Sequence, residues 1–236
     1  MRQKLPVVAL LLSSAVLSQP VLAQERVIGL LALPEVFGQG ACDRFTPRPV
    51  ELRATPQGPV VGTVIVVKPW THHSNGGCEG LEVAVRAPLA ATVQPLPMME
   101  YAYEEPGAVV LERRETWFRV RLTVGSAWLE ASAQDEFYGL ERLFQDGLTY
   151  LTEAWSGQVW ASPGSAGRPA KSPRLAPDQP VRVRRASRDK EGLWFLVDIM
   201  SHSACDDGEP TVADQGWVPA YGKADAPTIW FYSRGC

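Results

Sequence analysis

The sequence predicts a mainly β protein: two small β units in tandem, joined by a short amphipathic helix. Three observations carry this. A Trp-centred pattern occurs twice, as W-F-R-V-R-L from Trp117 followed by V-G-S-A-W-L-E-A up to Ala131, and as W-F-L-V-D-I from Trp194 followed by Q-G-W-V-P-A up to Ala220. Gly and Pro number 20 each, which favours turns and short strands over long helices. Alternation of apolar and polar positions, the period of a half-buried strand, marks L-E-V-A-V-R at 81–86 and V-R-V-R at 181–184, the latter with its Arg residues outward.

The chain opens on a targeting segment, expected to span 1–23. Arg2 and Lys4 give a basic start, residues 5–17 form an apolar run too short for a membrane span, and V-L-A at 21–23 suits cleavage before Gln24. The residue immediately after the cut is Gln24 and not Cys, which disfavours a lipid anchor. The mature chain is therefore expected to be exported, to the periplasm or outside the cell, with no integral membrane span. Loss of Arg2 and Lys4 leaves 21 basic against 26 acidic residues, so the mature charge is about -5. That balance gives no general attraction to nucleic acid or anionic lipid. With 45% apolar and 21% charged residues, the chain is able to bury a core.

The repeat extends backward from the two Trp strands. L-R-A-T-P-Q-G at 52–58 and V-W-A-S-P-G-S at 159–165 each read as a short strand ending in a Pro-containing turn. Spacing differs between the copies: Leu52 to Trp117 is 65 residues against 35 from Val159 to Trp194, and Trp117 to Trp128 is 11 against 23 from Trp194 to Trp217. The first unit, 24–131, therefore holds an insertion near 68–98, and the second, 153–236, one near 201–213. Residues 64–67 form a continuous apolar strand, and 162–180, rich in Pro, Ser, Gly and basic residues, read as a surface loop.

Four Cys occur, and export makes disulfides the default. Cys78 and Cys205 fall in the two insertions, while Cys42 and Cys236 lie at an end of each unit. This layout predicts Cys42–Cys78 and Cys205–Cys236, each stabilising its unit by roughly 3–4 kcal/mol through loop closure.

Between the units, 132–152 is expected to hold the connecting helix. Ser132 with Asp135 resembles a capping arrangement, Phe137, Leu140, Leu143 and Phe144 recur at helical spacing, and Gly147 is a natural stop. Such a helix packs one face onto a sheet and serves as a rigid connector.

The segment W-F-R-V-R-L, a turn, then G-S-A-W-L-E-A resembles the last strands of Src homology 3 (SH3) domains in their bacterial form. The second copy is closer, because G-W-V-P-A-Y from Gly216 to Tyr221 is similar to the family's glycine, aromatic, apolar, proline and tyrosine ending. The resemblance covers most of the mature chain outside the insertions and implies two tandem SH3-like β-barrels. In the eukaryotic branch, exposed aromatics and the proline of that ending bind proline-rich peptides. The matching positions are Trp194, Pro219 and Tyr221, with spacing off by one residue. In the first copy Glu130 stands where Pro219 stands in the second and no Tyr follows, so the resemblance places peptide binding in the second copy. For exported bacterial members it implies peptidoglycan or an envelope protein as partner.

T-H-H-S-N-G-G-C-E at 71–79 offers His72, His73, Cys78 and Glu79 to a metal, but adjacent His side chains on an extended backbone point to opposite sides. His202 with Cys205, Asp206 and Asp207 lacks a second ligand pair. Both segments read better as disulfide loops, and no cofactor is expected. There is no G-x-S-x-G elbow, and the pairs Glu104–Glu105 and Asp206–Asp207 are merely adjacent in sequence. The basic stretch 168–188 reads as a solvated face.

The aromatics remain. Tyr101 and Tyr103 alternate in Y-A-Y-E-E-P-G and offer flat surfaces to proline or sugar rings. Trp117 and Trp194 stand open between a ligand role and a core role, whereas Trp128 and Trp217 read as core. The expected function is non-enzymatic binding of a cell-envelope component, through Tyr101, Tyr103, Trp117, Trp194, Pro219 and Tyr221. A cell-wall hydrolase using His72, His73 or His202, and a purely structural spacer, are the competing expectations.

Overall fold

Short runs of β-branched and aromatic residues between turns leave the chain little choice but strands, and strands dominate. A computed structural model describes residues 25–37, 48–68, 71–72, 78–79, 82–88, 92–103, 105–133, 135–145, 147–164 and 176–233. The targeting segment, Cys42, His73 and Cys236 lie outside the described residues.

The first part of the chain contributes β1 (Gly29–Ala32), the one-turn α1 (Pro34–Phe37), β2 (Val50–Arg53) and β3 (Val60–Lys68). A two-residue ribbon, β4 (Thr71–His72) with β5 (Cys78–Glu79), stands apart. Then follow β6 (Glu82–Arg86), β7 (Val93–Pro95), β8 (Met98–Ala102), β9 (Glu105–Arg114), β10 (Trp117–Arg121), β11 (Ser126–Glu130) and β12 (Glu136–Gly139). These build a ten-stranded antiparallel sheet in the order β12-β1-β9-β10-β11-β2-β3-β6-β7, with β8 also on β9. After the one-turn α2 (Leu140–Leu143), β13 (Leu148–Leu151), β14 (Pro180–Asp189), β15 (Gly192–Met200), β16 (Val212–Pro219) and β17 (Ile229–Tyr232) form a five-stranded sheet ordered β16-β15-β14-β13-β17.

The two Trp-centred segments occupy matching positions. Trp117 pairs with Glu130 and Trp194 with Pro219; Arg119 pairs with Trp128 and Leu196 with Trp217. The backbone N–H of Ala131 donates to Thr116 O, and that of Ala220 to Leu193 O, both at 2.8 Å. Arg53 lies opposite Trp128 as Trp160 lies opposite Trp217, so the strands ahead of each pattern also take equivalent places.

Strand alternation sends adjacent residues of β1 and β9 to two different cores. Leu31, Ala108 and Val110 join Leu52, Val64, Phe118 and Leu129 in a core enclosed by the bend of the first sheet. Leu30, Val109 and Leu111 join Phe195, Val197, Ile199, Val218 and Phe231 in a seam core between the sheets. β1 is thus buried on both faces, which is why G-L-L-A carries no polar position. Side-chain ties reinforce the seam: Tyr221 Oη donates to Val27 O at 2.8 Å, Arg26 pairs with Asp225 at 2.7 Å, and Ser233 Oγ donates to Glu100 Oε2 at 2.7 Å.

Two expectations are corrected. Two barrels joined by a helix do not form, since neither sheet closes on itself. Instead β1 and β9 are shared as a wall: one face lines the first core and the other carries the second sheet. The connecting helix is also displaced by a strand. Asp135 accepts from the Ser132 backbone N–H at 2.6 Å, as in a cap, but the turn it stabilises leads into β12, which pairs with β1 from Gly29↔Gly139 to Ala32↔Glu136. Among the described residues of this stretch only Leu140–Leu143 is helical; Leu140, Leu143 and Phe144 enter the seam core, while Phe137 packs on the other one. The apolar residues are buried as their spacing demands, by a strand and one turn rather than by a helix.

Candidate functional site: a groove at the seam

The aromatic residues singled out in the sequence fall in separate places. Trp117 and Trp194 are 9% and 5% exposed, and neither they nor Trp128 and Trp217 belong to either apolar core. They lie on the opposite sheet faces, where guanidinium groups cover the second indole of each pair: Arg114 sits 4.8 Å from the Trp128 ring centroid and Arg185 5.1 Å from that of Trp217. The Pro219 carbonyl accepts the Thr228 hydroxyl. Tyr221 is committed to the seam through its bond to Val27 O, with Arg26 over its ring at 5.2 Å, and burial pushes its hydroxyl pKa up.

Tyr101 and Tyr103 part company. Tyr101 stacks on Tyr138 with centroids 4.4 Å apart and donates to Glu105 at 3.2 Å, while Tyr103 is 61% exposed in the turn after β8. Burial, then the hydrogen bond to Glu136, pushes Tyr138 up to about 12. That same bond, followed by the one from Arg142, holds the Glu136 carboxyl below its ordinary value. Arg142 also lies over the Tyr138 ring at 4.2 Å.

The candidate histidines do not converge. His72 is described only as a backbone position in the two-residue ribbon. His202 spends both ring nitrogens locally, on Ser201 Oγ at 2.9 Å and Gly208 O at 3.4 Å. Among the described residues no group of three His, Cys, Asp or Glu is placed to hold a metal ion. Each expected disulfide pairing includes a sulfur beyond the described residues.

A concave site appears where the two sheets meet. It encloses about 300 Å³, with Val27 and Met99 from the first sheet's side and Ala154, Ala226, Pro227 and Trp230 from the second's. Trp230 comes from the apolar run I-W-F-Y of β17, Met99 from β8 at 37% exposure, and Val27 from the lead-in to β1. The polar groups of Thr152, Ala154 and Pro227 are paired within the wall. Thr152 donates its N–H to Thr228 O at 2.9 Å and its hydroxyl to Pro227 O at 2.6 Å, and the same hydroxyl accepts from Ala154 N–H at 3.2 Å. Ala154 O accepts from Lys223 N–H at 2.9 Å.

Two charges remain on the rim, Arg121 and Glu153. Arg121 donates to the backbone oxygen of Glu25 at 3.2 Å and pairs with no carboxylate among the described residues. Glu153 has no partner there either. A second cleft of about 340 Å³, between α2 and β14, differs because its charges are spent: Glu141 pairs with Arg188, Arg184 with Asp198, and Arg185 covers Trp217.

None of the residues lining the seam groove was singled out in the sequence. The signal available was the run I-W-F-Y, whose Trp would be read as core. Compared with models of known protein families, with curated proteins and with solved structures, the chain matches none. It is a mainly β protein of two packed sheets, and among the described residues no helix is long and apolar enough to cross a membrane.

Proposed function

We propose that this is an exported, non-enzymatic interaction protein of the cell envelope that holds a partner protein through the seam groove. Export rests on the basic start, apolar run and V-L-A site of residues 1–23. The observation that supports the binding mode is the groove's chemistry. Its wall offers apolar surface from Val27, Met99, Pro227 and Trp230, while the polar groups of Thr152 and the carbonyls of Ala154 and Pro227 are already paired. A glycan needs many directional polar partners for its hydroxyls, and beyond the rim groups Arg121 and Glu153 this wall is mostly apolar. An apolar side chain of a protein needs only the surface, and Met99 beside Trp230 adapts to its shape. Of the two expected partners, an envelope protein therefore fits better than peptidoglycan. The SH3-like ending at Gly216–Tyr221 contributes by fixing the second sheet to the first rather than by presenting an open peptide groove.

The test is capture from envelope extract on the immobilised mature protein. A discrete protein retained by the wild type and by Val212→Lys, a substitution on β16 outside the groove, should be lost at least tenfold with Met99→Lys. Sedimentation with purified peptidoglycan should leave the protein in solution. Retention on peptidoglycan, or capture indifferent to Met99→Lys, would overturn the reading. Capture of nothing at all would favour the spacer.

A further inference from the structure

Resting on the seam groove as the partner site, we infer that its occupant is a polypeptide segment presenting one apolar side chain between an acidic and a basic residue. The acid would meet Arg121 and the base would meet Glu153.

Among the described residues, the groove leaves two charges of opposite sign unpaired. Several charged groups elsewhere are matched within the molecule: Arg26 with Asp225, Arg119 with Glu112 at 3.1 Å and also with Glu25, and Arg188 with Glu141 at 3.4 Å. Arg121 and Glu153 differ in having no ion-pair partner among the described residues, and both line the groove. Charges of opposite sign on the rim of one apolar hollow select against any ligand carrying a single sign of charge. An anion drawn to Arg121 meets Glu153, and a cation drawn to Glu153 meets Arg121. A segment bearing both signs satisfies each rim group while its apolar residue displaces water from Met99, Pro227 and Trp230.

Size points the same way. About 300 Å³ lies at the lower end of small-ligand sites and admits one side chain with part of its backbone, not a folded element. The apolar contact supplies attraction with little selectivity, since the adaptable Met99 tolerates several side-chain shapes. Selectivity falls to the rim. Exposed ion pairs are individually weak, so each rim charge should change affinity about three- to fivefold, and both together about tenfold or more.

The experiment is an NMR titration of the mature protein, following the Trp230 indole and the Met99 methyl. The probes are the end-blocked peptides Lys-Gly-Leu-Gly-Asp, its charge-reversed order Asp-Gly-Leu-Gly-Lys, the doubly basic and doubly acidic versions, and a Gln/Asn version. One of the two mixed-charge orders should bind about tenfold tighter than the uncharged peptide and tighter than either single-sign peptide. Arg121→Glu should shift the preference to the doubly basic peptide, and Glu153→Lys to the doubly acidic one. Exchanging both charges should restore a mixed-charge preference in the opposite order, which also shows that the variants fold.

Equal binding of all probes, abolished by Met99→Lys, would overturn the charge rule and leave the groove standing as the partner site. Shifts confined to residues away from Trp230 and Met99, or none with any peptide, would count against both.

Discussion

Leu30→Ala is the substitution that most directly examines whether the two sheets are one unit. Leu30 is fully buried in β1, yet it belongs to the core that also holds Phe195, Val197 and Ile199 of the second sheet. Its neighbour Leu31, equally buried, belongs to the first core. Truncating a buried leucine removes apolar contact worth about 0.8 kcal/mol per methylene and leaves a cavity, for a total of about 2–5 kcal/mol. At 1.4 kcal/mol per tenfold, amide opening should accelerate by a factor of about 30 to 4,000. Native-state hydrogen exchange reads this directly. Amides of β15 should accelerate with those of β10, although the substitution lies in neither strand, and denaturant unfolding should remain a single transition. Leu31→Ala provides the comparison for severity within the first sheet. If Leu30→Ala left β15 protection unchanged while β1 and β9 lost theirs, the shared-wall reasoning would be wrong.

Tyr221→Phe removes only the hydroxyl that reaches Val27 O, and should cost about 1 kcal/mol, lowering Tm by about 2–4 °C in calorimetry. Gly222→Ala would set a Cβ 1.9 Å from Ala154 O in the groove wall; denaturant titration should show a loss of about 1–3 kcal/mol or more, and NMR a disturbed Trp230. Tyr138, raised from 10.0 to about 12 in the folded state, contributes stability that is complete below about pH 10 and lost as the pH climbs toward 12; in an alkaline melting series Tyr138→Phe should lack that step. Glu136, with its carboxyl lowered, contributes in the opposite sense, above its ordinary 4.5 and less as the pH falls through that region, by a small amount because the side chain is exposed. Peptide mapping without reduction should recover Cys205–Cys236 and Cys42–Cys78, whereas a Cys78–Cys205 peptide would reject that pairing.

What could be read from the sequence was local. The alternation in 81–86 and 181–184 specified β6 and part of β14, and matching Trp117 with Trp194 anticipated the register that sets Glu130 and Pro219 in equivalent places. What could not be read depended on partners far along the chain. Phe137, Leu140, Leu143 and Phe144 fit a helical face, but the free edge of β1 offered residues 136–139 a ladder of backbone hydrogen bonds, and the ladder won. W-F is apolar at both positions, so alternation alone could not say that Phe118 and Phe195 face the cores while Trp117 and Trp194 face away. The groove was invisible for a similar reason, since Val27, Met99, Pro227 and Trp230 meet only after both sheets have packed.

The wall formed by β1 and β9 also sets the order in which the chain can fold. β1 occupies residues 29–32, but its neighbours are β9 at 105–114 and β12 at 136–139, and its outer face waits for Phe195 and Phe231. Each partner closes a loop longer than the one before, so these contacts form late and slowly. A string of independent small domains can complete each one as it emerges. Here the strand nearest the start remains exposed until almost the last residues of the second sheet have arrived. Until then G-L-L-A is an apolar edge open to other chains, and if the chain is exported as proposed, it has to cross its membrane in full before that strand finds both of its faces covered.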